Sequence, residues 1–99
     1  MMINIKSITN DTIIYRKNNI EWTDLNDDFV MMDIEKGKYY AINSSGGAIW
    51  EKIKNPISVS SLINDLITEF QIDKDICYED TINFLNQLND SKLICTENK

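Results

Sequence analysis

Hydrophobic positions along this chain change their spacing partway through. Up to about residue 42 they recur at short, strand-like intervals, and beyond residue 58 they follow a helical period. Residues 1–10 alternate weakly through Ile3, Ile5 and Ile8 and read as a frayed or edge segment. Thr12 to Lys17 is β-branched and aromatic, which predicts a strand. Lys17-Asn18-Asn19 is turn-like, Ile20 to Leu25 reads as a further strand, and Asp24 to Asp28 as a polar loop. Phe29 to Glu35 and Lys38 to Ile42 flank Lys36-Gly37, a β-hairpin signal in which the glycine accepts a positive φ. Alternation puts Val30, Met32 and Ile34 on one face and Met31, Asp33 and Glu35 on the other. On the second strand Tyr40 and Ile42 share a face, opposite Tyr39 and Ala41.

Asn43 to Ser45 then offers N-cap chemistry for a helix over about Gly46 to Lys54. Gly46-Gly47 lets backbone or side chains approach closely, and Asn55-Pro56 stops the helix. Ser58 caps a second helix, whose apolar positions Val59, Leu62, Ile63, Leu66, Ile67 and Phe70 keep the 3.6 period. A third helix is predicted from about Asp75 to Asp90, and Leu93-Ile94 forms a short apolar tail packed back as an extended segment. Strands followed by three helices imply an α+β fold of winged helix-turn-helix type. The expected plan is an N-terminal three-stranded antiparallel β-sheet followed by three α-helices. With 99 residues the chain is the size of one domain, strands over about 12–42 and helices over about 44–91.

The third helix has a wider apolar arc than a small domain requires. At about 100° per residue, Cys77, Thr81, Phe84, Leu85 and Leu88 form one stripe, expected to be core. Tyr78 and Ile82 extend it on one flank, with Asn86 and Asn89 beyond. A stripe only a little over 100° wide suffices for packing, so this flank either covers the sheet or is left for a partner. The edge of Lys38 to Ile42 would offer unpaired N–H and C=O groups, a template for an added strand. An edge strand beside an apolar helix flank is a geometry for capturing an extended peptide.

Composition narrows the function further. The formal net charge is -6, which repels phosphate backbones and argues against nucleic acid. There is no histidine, which removes the commonest general base near neutral pH. Cys77 and Cys95 alone are a poor zinc site and read as apolar filler; no cofactor or metal is expected. The longest apolar run, Phe29-Val30-Met31-Met32, is far short of a membrane span, and Met1 to Ser7 carries no long apolar core of a signal peptide. A cytoplasmic location without membrane association is the default expectation.

The glycine turn with Tyr39-Tyr40, the Ile42-Asn43 pair, Ile49-Trp50, the second helix after Ser58 and the ending Leu85-Asn86-Gln87-Leu88 to Lys92-Leu93-Ile94 together resemble the PqqD family, from about Asp28 to Ile94. Its members are the peptide-recognition modules of ribosomal natural-product pathways, the RiPP recognition elements. The resemblance implies a three-stranded sheet followed by three helices. A leader segment of a precursor peptide would bind as an extra strand between the third strand, Lys38 to Ile42, and the third helix. It implies an adaptor that is not an enzyme and presents the precursor to a maturation enzyme. In lasso-peptide biosynthesis that enzyme is a leader protease or a cyclase; in the quinone-cofactor and related pathways it is a radical enzyme served by a PqqD-type chaperone. The strand material over Thr12 to Leu25 looks more like the lasso type. Peptide-binding residues are then expected at Lys38, Tyr39, Tyr40, Ala41 and Ile42 on the strand. On the helix they are expected at Tyr78, Ile82, Leu85, Asn86 and Asn89, where Leu85 is either groove or core.

Rival readings fit less well. Ser44-Ser45-Gly46-Gly47 opens a helix but lacks the Lys-Ser/Thr of a phosphate loop, so helix capping explains it. Asp24, Asp27 and Asp28 lack EF-hand spacing. A winged-helix DNA regulator would need cations on its recognition helix, and this one carries Glu79, Asp80 and Asp90. An exposed edge strand could also self-pair, which would give a homodimer.

Overall fold

A computed structural model describes residues 8–25 and 28–98. The elements run β1 (Ile13–Arg16), β2 (Ile20–Leu25), β3 (Asp28–Asp33), β4 (Lys38–Ile42), α1 (Ser44–Lys52), β5 (Ile57–Ser58), α2 (Val59–Phe70), α3 (Lys74–Asp90) and β6 (Ile94–Glu97). Strands β2, β3 and β4 form a three-stranded antiparallel sheet in that order, and three helices follow it. The fold is α+β, as the pattern of elements implies. Residues 1–7, with the alternation at Ile3 and Ile5, and the loop at 26–27 lie outside the described residues.

The sequence pattern does not foresee a second sheet. In it β1 is the central strand, antiparallel to β5 on one side and to β6 on the other. The apolar tail at Leu93-Ile94 leads into β6, whose Ile94 pairs with Arg16. Arg16 ties this small sheet to α1. Its Nε and Nη2 both donate to the Trp50 carbonyl, at 2.9 and 2.6 Å, so a cation meets a carbonyl in the last turn of the helix. The guanidinium also lies over the Trp50 ring, 4.9 Å from its centroid, and 6.0 Å from that of Trp22. Burial lowers the Arg16 pKa from its usual value and the Glu51 carboxylate opposes that shift; the group stays cationic at neutral pH.

The β3–β4 hairpin turns over a longer loop than the two residues expected. Asp33 pairs directly with Lys38, so Ile34 and Glu35 belong to the turn rather than to the strand. Gly37 holds φ +65°, a conformation that favours glycine. The buried carboxylate of Asp33 organises this loop: Oδ1 accepts from the Lys36 backbone N–H at 3.2 Å, and Lys36 Nζ lies 3.9 Å from Oδ2. That is why a charged residue sits on the inward face beside Met31, where both are essentially inaccessible. Asp24 and Leu25, expected in part of a loop, pair with Phe29 and Asp28.

Helix α1 begins two residues earlier than expected. Asn43 is its N-cap, with Oδ1 accepting from the Gly46 N–H at 2.9 Å. Ser58 caps α2 by accepting from Ser61 N–H, and Val59, Leu62, Ile63 and Leu66 are buried. Phe70 is the exception in that stripe: at the end of α2 it is 52% exposed, because the chain turns away at Gln71 in a left-handed conformation. The core gathers Met31, Trp50, Leu62, Leu85 and Leu93 around the meeting point of both sheets and all three helices.

The two glycines of α1 decide how close the helix comes to its neighbours. A Cβ on Gly47 would collide with the Phe29 ring of β3, and one on Gly46 would stand 2.9 Å from the Phe84 ring of α3. A glycine-to-alanine change inside a helix normally gains up to about 1 kcal/mol. Here the sign should reverse: Gly47→Ala is expected to lower unfolding free energy by about 1–3 kcal/mol, read as a lower urea midpoint. Adding Phe29→Leu to that variant should recover part of the loss.

Candidate functional site

Strand β4 is paired on one side only. Residues Ile42, Ala41, Tyr40, Tyr39 and Lys38 oppose Phe29 to Asp33 of β3, and the far edge of β4 has no strand partner among the described residues. Directly opposed residues share a face, so Tyr40 and Ile42 point inward with Met31 and Phe29. Both pack against the core and are half-buried. Tyr39 and Ala41 point outward, Tyr39 with 72% of its surface exposed.

Helix α3 meets both ends of this hairpin. At the turn, Lys36 Nζ donates to the Ser91 carbonyl at 3.3 Å, just past the end of α3. At the other end, the Phe84 ring and Ile42 both lie against Gly46. Beyond Ile42 the strand opens onto a cavity of about 570 Å³ between α1, α2 and α3. Its apolar floor includes Ile49, Leu66 and Phe84, and Asn43, Asn83 and Gln87 supply polar rim groups.

None of the five expected helix residues lines this space. Leu85, set down as groove or core, has no accessible surface and is core. About 100° per residue separates the flanks of α3. Phe84 lies about 100° to one side of Leu85, and Ile82 about 60° to the other. The cavity beside the end of β4 is lined by Asp80, Asn83, Phe84 and Gln87, on the Phe84 side. Tyr78 faces a separate hollow with Asn10, Ser60, Ile63 and Asn64. Ile82 is half-buried against the core; Asn89 is half-buried and Asn86 exposed on the same flank. Phe84, assigned to the core stripe, is only half-buried and forms a wall of the cavity. The glycine pair was the signal for that wall, because a close approach to α1 calls for a bulky side chain opposite.

Among the described residues no group of three or more His, Cys, Asp or Glu side chains is placed to hold a metal ion. Cys77 and Cys95 are free thiols. Among the described residues no helix is long and apolar enough to cross a membrane.

A sheet edge left open among the described residues thus stands beside a cavity held by a hairpin and three helices, and one family model covers this part of the chain. The chain belongs to the PqqD family, whose model, described as coenzyme PQQ synthesis protein D, matches residues 28–94. Two solved structures share the fold. One is TbiB1 in complex with the TbiA(beta) leader peptide, at 18% identity and a TM-score of 0.72, covering 81% of this chain and 93% of that one. The other is a lasso peptide synthetase B1 complexed with the leader peptide, at 15% identity and a TM-score of 0.71, covering 83% and 96%. No curated protein sequence matches the chain.

Three substitutions on α3 separate its faces. Leu85→Asp buries a carboxylate without a partner and is expected to unfold the chain. Ile82→Asp should lower stability measurably, since the side chain is half-buried. Asn86→Ala, on the exposed surface, should change it by less than about 0.5 kcal/mol. Circular dichroism melts rank the three.

Proposed function

We propose that this chain is one PqqD-like peptide-recognition domain acting as a non-catalytic adaptor. It binds the leader of a ribosomally synthesised precursor by strand addition along β4, in the cytoplasm. It then presents that precursor to the leader protease or cyclase of a lasso-peptide pathway. The observation that carries the reading is the edge of β4, unpaired among the described residues and fastened beside α3. The fold supports it, because both structural neighbours are complexes with leader peptides. The edge supplies main-chain partners, and the half-buried Tyr40 and Ile42 with the Phe84 side of α3 receive alternate side chains. Lys38, Tyr39 and Ala41 then contribute chiefly backbone.

The energetics are adequate. Two or three leader side chains would contribute about 1.5–3 kcal/mol each, and strand hydrogen bonds roughly 0.5–1.5 kcal/mol each. Ordering a flexible leader costs on the order of 2–5 kcal/mol. A low-micromolar complex requires about -8 kcal/mol, which the upper part of these ranges supplies. A second reading, a PqqD-type chaperone for a radical enzyme, is favoured by the family description itself. DNA binding is disfavoured by the exposed Glu79, Asp80 and Asp90 on α3.

Fluorescence anisotropy with the labelled leader of the precursor encoded nearest this chain should give saturable binding at micromolar affinity or tighter. Methylating leader backbone nitrogens one at a time should weaken binding at least tenfold at every second position across the paired strand, and little in between. Absence of leader binding, or salt-sensitive binding of duplex DNA instead, refutes the adaptor.

A further inference from the structure

Past the Phe84 wall, the cavity beyond β4 has a mouth that lies outside the strand itself. Phe70, Ile72 and Ile76 stand around it with 52, 41 and 57% of their surfaces exposed. Three large apolar side chains left in water around one opening mark a surface that gains by being covered. At about 570 Å³ the cavity falls within the usual range for bound ligands, roughly 300–1,000 Å³. Among the described residues its lining contains one charged side chain, Asp80, and no lysine or arginine. Among the described residues Asp80 takes part in no ion pair. The first turn of α1 also opens here, but Asn43 already accepts from its Gly46 N–H.

The backbone path leads into this space. β4 ends at Ile42, and the next residue, Asn43, lines the cavity. A strand added along β4 therefore runs out over the apolar mouth. We propose that this cavity is a second recognition site for the same peptide: it takes an apolar leader segment just outside the strand paired to β4, with a lysine or arginine of that segment set against Asp80. The inference rests on the adaptor reading and adds to it a requirement on the leader's own sequence. Charge complementarity selects this occupant, since the chain as a whole carries a formal charge of -6 and the acidic Asp80 is the charged residue of the lining among the described residues. A basic side chain lays its aliphatic stem on the apolar mouth and keeps its cation at the wet rim.

The test is a charge scan of the labelled leader, each lysine and arginine replaced in turn by norleucine, against wild type, Asp80→Asn and Glu79→Gln. Glu79 is exposed on α3 and does not line the cavity, so its variant controls for the general field of the protein. One basic position should weaken binding about three- to fivefold against wild type and Glu79→Gln, and not at all against Asp80→Asn. The melting temperature of Asp80→Asn should match that of wild type, which a merely structural aspartate would not allow. Leader binding in which no basic position couples to Asp80, or an equal loss in Glu79→Gln, overturns this inference alone. So does a peptide-free dimer in sedimentation that Ile76→Ser dissolves, because a second copy then covers the mouth. Failure of the leader to bind removes the adaptor reading and this inference together.

Discussion

Two aromatic rings resting on the backbone of α1 set the geometry on which the rest depends. Phe29 arrives from the sheet and lies against Gly47; Phe84 arrives from α3 and lies against Gly46. Each ring needs the space a Cβ would occupy, so sheet, first helix and third helix approach through one pair of residues. Helical glycine costs stability by itself, and the close packing it permits is the compensation. The same contact fixes Phe84 at the end of β4, and with it the wall of the cavity. Core packing and site geometry are thus one constraint.

The second sheet does for the other side of α1 what the glycines do for the first turn. β1 is short, and its pairing partners are far away in sequence, at Ile57–Ser58 and Ile94–Glu97. Arg16 offsets that long-range closure by binding the Trp50 carbonyl and covering the indole face. The last turn of α1 is therefore held by a cation at the same time as its first turn is held by Asn43 and the two rings. A helix of nine residues is too short to be stable alone, and here both of its ends are fixed by tertiary contacts.

Much of this was legible in the residues. The strand at Ile20 to Leu25, the second hairpin strand, Asn43 and Ser58 as caps, and the positive φ of Gly37 each follow from local chemistry, which acts over a few residues. What stayed hidden depends on partners distant in sequence. A helical wheel shows how wide the apolar arc of α3 is, but not which flank meets which element. Tyr78 and Ile82, the surplus of that arc, lie on the flank of α3 away from the cavity. Phe84 read as core because it is aromatic and on the stripe, while its true position depends on two glycines some forty residues earlier. Phe70 kept the period of α2 but lies where the chain reverses. The run Phe29-Val30-Met31-Met32 is apolar throughout, so alternation did not decide which face is buried. The inward face carries Asp33, which polarity would have placed outside.

The two outer edges of the main sheet, both unpaired among the described residues, are not equivalent, and the difference bears on what each can accept. β2 carries Glu21 and Asp24, both exposed. Two copies pairing through this edge would bring carboxylates together, a common protection against edge-to-edge association. β4 carries a single charge, Lys38, at its start, followed by Tyr39, Tyr40, Ala41 and Ile42. Only uncharged apolar or aromatic side chains stand along the rest of it, with α3 on hand to cover whatever pairs there. The net charge of -6 still disfavours association of two like copies through β4. An unlike strand with apolar side chains meets no such opposition. An edge that resists its own copy while remaining open to a different chain is a physical basis for specificity: repulsion excludes the wrong partner, and the backbone is left free for the right one.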